Sequence, residues 1–544
     1  MLKSIAQIIT KGKTVLIKKI ILSIFALLLA SSSFARPPIG INTNEIQHID
    51  SSVPFVNLFK MAMPFKEAKK LTSGNVVYDK NGWPRELRGG KAGTYLIHWL
   101  PQGTLPEGQY TVLYDGEGQL AYESKGHDVK VISSAPGKDV IDIRSGGDKF
   151  IQVALIIKRS EPRNYLRNIR VLLPGGICAN NPFQRVNGAK QCRGNFQSFE
   201  KYYERIVFNP DYLKFMKDFK VIRMMNLAGI TRNPIRHWNQ MNQMSKATWA
   251  GKEGIRGAPL EVMVKLANVL NRDAWFNIPH AADNQFVQQY ARYLRQHLRP
   301  NLKAYIEYTN ETWNTVFMQT HYTKQMGHKL GLDKDPNQAG YKYYSQRAVE
   351  IFKIFEQAFG GKQRLVRVMG VWSANRYMTP VVMEHKNAYK HVDAMAIAPY
   401  FFVHAKALGG VNSVPSVFAL MKDDKKNPYS MNNVYKMIGQ QMEYAKKYGV
   451  KLIAYEGGQH LTDPKARSTK SMPNQFLIGA NRVRTMEQFY VEFLQNWDRI
   501  TGGSLFVAFS APRTCQFYGC WGVKEYINEP DAKAPKYRAL KRFF

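Results

Sequence analysis

The pattern of apolar and polar residues divides the chain near residue 195. Before that point, short runs of alternating apolar and polar residues are separated by turn-forming clusters rich in Gly, Pro and Asp. Several such runs at near-regular spacing predict the antiparallel strands of a β-sandwich. This sandwich would serve either as a carbohydrate-binding module or as a packing domain. The predicted strands lie at residues 76–78, 94–100, 108–114, 129–132, 140–143, 150–157 and 169–173.

After residue 195, short apolar runs alternate with amphipathic helical stretches. This alternation predicts a parallel α/β fold. The apolar runs lie at residues 221–225, 275–278, 304–307, 365–369, 394–398, 451–455 and 504–508. The amphipathic stretches lie at residues 260–270, 285–298, 343–359, 434–448 and 485–497. One further strand would complete a (β/α)8 barrel.

Two segments are candidates for the missing strand, residues 39–43 and residues 169–173. We favour residues 39–43, because residues 169–173 continue the alternating pattern of the sandwich. A Ser pair and an early Pro then predict a helix at residues 55–63. The predicted fold class is α/β, a (β/α)8 TIM barrel with an N-terminal β-sandwich inserted after the first β/α unit. The corresponding segments are 1–35 (signal peptide), 36–70 (first strand and helix), 71–174 (sandwich) and 175–544 (barrel).

The N-terminus has the pattern of a secretory signal. Lysines between residues 11 and 19 precede an apolar run at residues 20–30, and small residues follow at Ser33 and Ala35. The apolar run is shorter than the ~20 residues that span a bilayer, so we expect cleavage after Ala35 rather than anchoring. The sequence therefore predicts a secreted or periplasmic protein.

The four cysteines fall into two close pairs. In an exported protein, local pairs of this kind predict disulfides, here Cys178 with Cys192 and Cys515 with Cys520. The spacings, without nearby histidines, fit no zinc pattern. No phosphate-binding loop or dinucleotide fingerprint is present, so the sequence implies no metal and no cofactor.

The chain is strongly basic, with 77 Lys and Arg against 41 Asp and Glu and a net charge of +36. The basic residues are scattered, and no nucleic-acid-binding motif accompanies them, so we do not expect a nucleic-acid partner. A basic compartment explains this charge better than a polyanion-binding role does. A weak attraction to anionic surfaces remains expected.

Two carboxylates follow strands of the predicted barrel. Glu311 ends the fourth strand directly after Asn310, and Glu456 follows the seventh, ahead of Gly457 and Gly458. Residues after barrel strands meet at the mouth, where active sites lie, and strands four and seven face each other across it. Paired carboxylates suit glycosidic cleavage, with retention of configuration at a spacing of ~5–5.5 Å. The glycines would leave room for a sugar ring close to the backbone.

A single glutamate at a strand end is usually structural, but two on these strands, with the asparagine, are more specific. The pattern resembles the clan of retaining (β/α)8 glycoside hydrolases that includes many cellulases and mannanases. Residues 307–314 also resemble a distant bacterial branch of cellulose-binding and cellulase-like proteins. The resemblance covers roughly residues 195–523. It implies that Glu311 is the acid/base, Glu456 the nucleophile, and Asn310 a partner of the substrate 2-hydroxyl.

Three further residues fit the same pocket. Arg223, on the second strand, would keep the nucleophile ionised, and Tyr400, after the sixth strand, would hydrogen-bond Glu456. His280, after the third strand, would contact sugar hydroxyls. Each has a structural alternative; Arg223, for example, would pair with Glu307.

Trp313, Trp372 and Trp521 follow strands four, five and eight. Their rings suit the apolar faces of sugars, although large aromatic residues are more often packed in a core. The sequence therefore predicts a secreted glycoside hydrolase acting on a polysaccharide or oligosaccharide. The alternatives are a glycan-binding protein that has lost turnover and a polyanion-binding scaffold.

Overall fold

Eight parallel strands form a closed barrel, which confirms the predicted fold. The computed structural model describes residues 36–126, 128–146, 149–251 and 254–544, so the predicted signal peptide lies outside the described residues. The barrel strands, in chain order, are Ile39–Asn42, Val221–Arg223, Asp273–Ile278, Ala304–Tyr308, Leu365–Gly370, Ala394–Ile397, Lys451–Ala454 and Phe506–Ala508.

The first strand closes the barrel, as the sequence predicted for residues 39–43. Ile41 pairs in parallel with Ile222 of the second strand, and Ile39 pairs with Phe506 of the eighth. Strands covered on both faces read as continuous apolar runs, and all four residues of Ile39–Asn42 are buried. One buried polar residue ends this strand, Asn42, opposite Arg223 of the second strand.

Helices surround the barrel close to the predicted places. The helix Leu260–Leu270 matches its prediction, while Pro336–Phe359 begins earlier because Asp335 caps its N-terminus. The other helices are Phe199–Tyr202, Pro210–Met216, Asn284–His297, Met318–Lys329, Met378–Glu384, Val414–Lys422, Met431–Tyr448, Asn474–Ala480, Arg484–Thr501 and Pro535–Lys541. Within the described part of the chain, no helix is long and apolar enough to cross a membrane.

Two antiparallel sheets form the additional sandwich. One contains Ala92–Pro101, Phe150–Ser160 and Gly118–Glu123, and the other contains Arg167–Leu172, Gly108–Asp115, Lys138–Ile143 and Val129–Ala135. Buried side chains of both sheets belong to the same hydrophobic core as the barrel helices. Smaller sheets pair Val77–Tyr78 with Pro84–Glu86, Gly176–Cys178 with Asn181–Val186 and Phe196–Ser198, and Tyr400–Phe401 with Gly458–Gln459.

The helix predicted at residues 55–63 is wrong. Only the 3-10 turn Leu58–Met61 forms, because the flanking backbone bonds to other segments: Phe55 bridges Phe208, and Asn57 bridges Leu172. The first helix of the barrel is instead Pro210–Met216, just before the second strand. The sandwich therefore lies between the first strand and its helix, not after a complete β/α unit.

Antiparallel strands continue to Ser198, past the predicted sandwich boundary at residue 174. The division of the chain into domains at that residue stays a prediction. Both predicted disulfides, Cys178–Cys192 and Cys515–Cys520, are present. The first closes a loop beside the small sheet, and the second closes a loop after the eighth barrel strand.

Candidate active site

A cavity of about 530 Å³ lies at the end of the barrel where the strands finish. Glu311 and Glu456 both line it, so the structure brings the two predicted carboxylates to one space. The other predicted site residues in its wall are Asn310, Tyr400, Trp313, Trp372 and Trp521.

Arg223 lies beneath this cavity and hydrogen-bonds two carboxylates, those of Glu456 and Glu307. Its Nη1 donates to Glu456 Oε2 at 3.0 Å and to Asn42 Oδ1 at 3.0 Å. Its Nη2 donates to Glu307 Oε2 at 2.9 Å and to Asn310 Oδ1 at 3.0 Å. Arg223 is fully buried, and its planar group bonds several acceptors at once, which a lysine would not do. Both predicted partners of Arg223, Glu456 and Glu307, are therefore present.

Glu307 forms the structural part of this network. Its Oε2 also accepts from Trp275 Nε1 at 2.8 Å and from Asn277 Nδ2 at 2.7 Å. Burial raises the pKa of Glu307, and the charge of Arg223 opposes that rise. A buried ion pair of this kind fixes the geometry, because losing one partner leaves an uncompensated charge.

Glu456 has a different environment from Glu311. Its Oε1 accepts from Tyr400 at 3.0 Å, as predicted, while Oε2 faces Arg223. Burial, followed by the negative charge of Glu311, raises the pKa of Glu456 to about 8, against the opposing effect of Arg223. Strongly interacting carboxylates titrate as a pair, so the two together retain a proton at neutral pH.

Glu311 accepts hydrogen bonds from two neutral side chains. Tyr455 donates its hydroxyl to Glu311 Oε1 at 2.8 Å, and Asn314 Nδ2 donates to Oε2 at 2.9 Å. The backbone of Glu311 is left-handed, with φ 42°, as is that of Thr309, with φ 53°. Such backbone conformations are costly for non-glycine residues and cluster at functional sites. Here they turn the carboxylate towards the cavity.

Tyr455, Asn314, Asn42 and His460 were not found by sequence reasoning. Tyr455 directly precedes Glu456, and alternation along a strand predicts that their side chains point to opposite sides. Both residues nevertheless line the cavity, and the Tyr455 hydroxyl reaches Glu311. Asn42 ends the first strand opposite Arg223. The sequence predicted these two strands as neighbours in the barrel but did not predict which residues pair. His460 Nδ1 accepts from Trp521 Nε1 at 3.1 Å, a contact between distant loops that no sequence spacing shows.

His280 does not belong to the cavity wall. Its side chain is buried against Tyr322, and its carbonyl accepts from Tyr308. Burial lowers the pKa of His280 to about 4, so the ring is neutral. The predicted contact with sugar hydroxyls therefore has no support from the position of this residue.

The expected role of Gly457 and Gly458 gains no direct support either. A Cβ on Gly457 would lie 2.9 Å from the Phe506 ring, and one on Gly458 would lie 2.5 Å from the Tyr490 hydroxyl. The glycines thus make room for the protein's own aromatic side chains, and their contact with a sugar stays a prediction.

A second cavity, of about 580 Å³, lies between residues 63–82 and residues 228–258. Its carboxylates have structural partners. Glu67 pairs with Arg256, and Asp79 accepts from two backbone amides and from the Tyr165 hydroxyl. This cavity therefore lacks the facing pair found at the barrel mouth. Among the residues that the structure describes, no group of His, Cys, Asp and Glu could hold a metal ion.

Comparison with known proteins gives structural matches alone, since no protein-family model and no curated protein matches the chain. The chain is similar to the GH51 arabinofuranosidase from Xanthomonas axonopodis pv. citri, at 12% identity and a TM-score of 0.35 over 61% of this chain and 63% of that chain. It is similar to a 4-O-α-L-rhamnosyl-β-D-glucuronidase from Fusarium oxysporum 12S, at 12% identity and a TM-score of 0.39 over 61% and 63%. A GH10 protein from Paenibacillus barcinonensis matches at 12% identity and a TM-score of 0.33 over 60% and 83%.

The aligned region spans less than two thirds of the first two of those chains. TM-scores this low carry no argument about the present chain. Its barrel is established by its own strand pairing.

Proposed function

We propose that the protein is a glycoside hydrolase that cleaves β-linked polysaccharides or oligosaccharides by a retaining double displacement. Glu456 is the nucleophile and Glu311 the acid/base. One observation carries the proposal: Glu311 and Glu456, from opposite strands, line one cavity, and the buried Arg223 hydrogen-bonds Glu456 whereas neutral groups, Tyr455 and Asn314, donate to Glu311. Unequal environments of this kind assign different roles to two carboxyl groups.

The first step uses both carboxylates. Glu456 attacks the anomeric carbon, the glycosidic bond breaks, and the leaving oxygen takes the proton of Glu311. Arg223 and Tyr400 orient Glu456 through hydrogen bonds to its two oxygens. Arg223 favours the ionised form of Glu456, which is the form that attacks.

The second step reverses these roles. Glu311, now ionised, removes a proton from a water molecule, and the water attacks the anomeric carbon and releases Glu456. Tyr455 and Asn314 hold Glu311 in both steps, because each donates to a different carboxylate oxygen. Asn310, fixed by Arg223, is placed to bond the sugar 2-hydroxyl, and the cavity tryptophans suit the apolar faces of sugar rings.

The site of action that we propose is outside the cytoplasm. Two disulfides persist in oxidising compartments, so their presence supports a secreted or periplasmic protein.

Replacement of Glu456 by Gln tests the proposal. The substitution keeps the size and the bond to Tyr400 but removes the nucleophile, so we expect turnover to fall by at least about a thousandfold. The assay measures release of reducing ends from a panel of β-glucans, β-mannans and β-xylans. NMR of the first product reports the anomeric configuration; an inverted product would contradict the double displacement.

Glu311→Gln serves as the matched variant. With an aryl glycoside whose leaving group needs no proton, the first step should survive and the glycosyl-enzyme should accumulate as a burst. A wild-type protein that binds the panel without turnover would instead be a non-catalytic glycan-binding protein. Full activity of Glu456→Gln would refute the proposed mechanism.

A further inference from the structure

Trp99 lies on the surface of the inserted sandwich, on the strand Ala92–Pro101. Its side chain is 54% exposed. Among the tryptophans that the structure describes, only Trp99 and Trp372 are exposed, and Trp372 lines the candidate active site. Trp99 is therefore a large exposed aromatic residue outside that site.

The backbone at Trp99 is held in an unfavourable conformation. Its φ is 59°, in the left-handed region that bulky residues avoid. The pairing of this strand with Phe150–Ser160 shifts register between Tyr95 and Ile97 and again between Ile97 and Leu100. Irregularities of this kind redirect side chains, and strained positions persist where they serve a function. Their result here is an indole ring turned into solvent.

Trp99 belongs to a continuous row of rings. His48 stacks on Tyr95 at 6.0 Å, and Tyr95 stacks on His98 at 4.6 Å with an angle of 7° between the planes. The His98 ring lies 5.4 Å from Trp99, which in turn meets Phe150 edge-on at 5.5 Å. Burial lowers the pKa of His48 to about 4, so this inner ring is neutral. We call these five residues the aromatic row.

The aromatic row starts in the loop that follows the first barrel strand, which also carries one residue of the cavity wall. His48 follows Glu45 by three positions, and Glu45 lines the cavity and pairs with Arg513 at 3.1 Å. The His98 amide donates to the His48 carbonyl at 2.9 Å, which fixes the row to this loop. His48 of the aromatic row and Glu45 of the cavity wall thus share one loop.

We propose that the aromatic row binds a polysaccharide chain, with a sugar ring stacked on Trp99. The exposed indole of Trp99, with polar residues nearby, suits the apolar face of a sugar ring. Burial lowers the pKa of His98 most, and the nearby charges of Lys70 and Lys125 lower it further. Tyr95 and the exposed Glu123 both pair with Ala154 of the strand between them. Both acidic and neutral polysaccharides therefore belong in the test.

Affinity electrophoresis of the full chain measures this binding directly. The gels contain a neutral polymer (hydroxyethyl cellulose, xylan or glucomannan) or an acidic one (carboxymethyl cellulose, polygalacturonate or alginate). We expect Trp99→Ala to weaken binding of at least one polymer about tenfold, as for a central aromatic contact, and Trp99→Phe to weaken it less. Ile132→Ala, which removes an exposed side chain from the other sheet of the sandwich, is the control and should have no effect.

Trp99→Gly separates binding from folding. Glycine accepts the left-handed backbone, so this variant should melt at or above the wild-type temperature and still lose binding. If no polymer in the panel binds in a Trp99-dependent way, the proposal is wrong. If Trp99→Ala leaves the binding of acidic polymers unchanged, the net positive charge alone attracts them, and this binding does not support the proposal.

A kinetic test rests on the proposed function. If the chain hydrolyses a polysaccharide, Trp99→Ala should raise KM for the polymer about tenfold, leave its kcat unchanged, and leave hydrolysis of an aryl glycoside unchanged. The electrophoresis needs no turnover. Trp99-dependent binding without hydrolysis would therefore refute the proposed function and support the aromatic row.

Discussion

At the residue scale, the candidate site depends on the different environments of two carboxyl groups. Glu456 accepts hydrogen bonds from a charged guanidinium and a hydroxyl, while Glu311 accepts them from a hydroxyl and a side-chain amide. The sequence predicted both glutamates and Arg223 because strand ends in a barrel share one mouth. It did not predict Tyr455 or Asn314, because those contacts depend on side-chain reach and left-handed backbone at one strand end.

The shared proton sets the pH dependence of the proposed reaction. The pKa of Glu456 is raised to about 8 by burial and by the charge of Glu311, so above about pH 8 the pair loses the proton that the leaving group needs. We expect kcat/KM to follow a bell-shaped profile with its alkaline limb near pH 8. With an activated aryl glycoside, Glu311→Gln should lose that limb. An alkaline limb retained in this variant would count against the assignment.

The hydrogen bond from Trp521 fixes the tautomer of His460. An indole N–H only donates, so His460 Nδ1 must accept and the ring proton must sit on Nε2. His460 lines the cavity, and burial lowers its pKa to about 4. We expect Trp521→Phe to free the tautomer and raise KM about three- to tenfold with little change in kcat. Trp372→Phe, a second indole in the cavity wall, should change KM less; equal effects would show that ring stacking alone matters.

At the element scale, the loop after the eighth strand forms one wall of the cavity. The Cys515–Cys520 disulfide closes it, and the Cys520 carbonyl accepts from Gln459 Nε2 at 2.7 Å and Lys536 Nζ at 2.6 Å. These anchors fix the loop on both sides of Gly519, and Trp521 packs over that glycine. The loop therefore behaves as a rigid support for an aromatic wall.

Gly519 tests that support. A Cβ there would lie 2.2 Å from the Trp521 ring, so Gly519→Ala must displace the indole. We expect kcat/KM to fall about tenfold, mostly through KM, because the ring holds both the cavity wall and His460. Gly188→Ala is the matched control, since a Cβ at Gly188 meets no atom within 4 Å. An unchanged KM in Gly519→Ala would show that Trp521 does not position the substrate.

Most elements were predictable from periodicity, and the exceptions share a cause. Barrel strands are buried on both faces and read as apolar runs, so their positions were found within a few residues. The segment at residues 55–63 has helix-start signals, yet its backbone bonds to Leu172 and Phe208 instead. The roles expected for Gly457 and His280 gain no support from the structure for a similar reason, because Phe506 and Tyr322 lie against them. Contacts between distant segments decide all three cases.

At the scale of the whole molecule, the sandwich and the barrel share one core. A single cluster of buried residues contains Leu96 and Val112 of the sandwich together with Phe276 and Leu494 of the barrel. Interfaces of this kind join two parts into one cooperative unit. The protein should therefore not behave as a barrel with a removable attachment.

A truncated chain tests this unity. Residues 175–544 alone lack the strand Ile39–Asn42, which leaves the second and eighth strands as open edges and removes the Asn42 contact to Arg223. We expect this chain to show no cooperative thermal transition, whereas residues 36–544 should melt in one. Two separate transitions in the longer chain, or a cooperative melt of the shorter one, would contradict a shared core.

The position of Asn42 has a consequence for the order of assembly. Its amide donates to the carbonyls of Tyr455 and Ala508, 413 and 466 residues further along the chain. Loops of this length close slowly, because the entropic cost of closure precedes any gain from the contact. Asn42 can therefore take its final place beneath Glu456 only after the segment that reaches Ala508 has been made. A partly made chain that ends before Ala508 thus lacks a complete site.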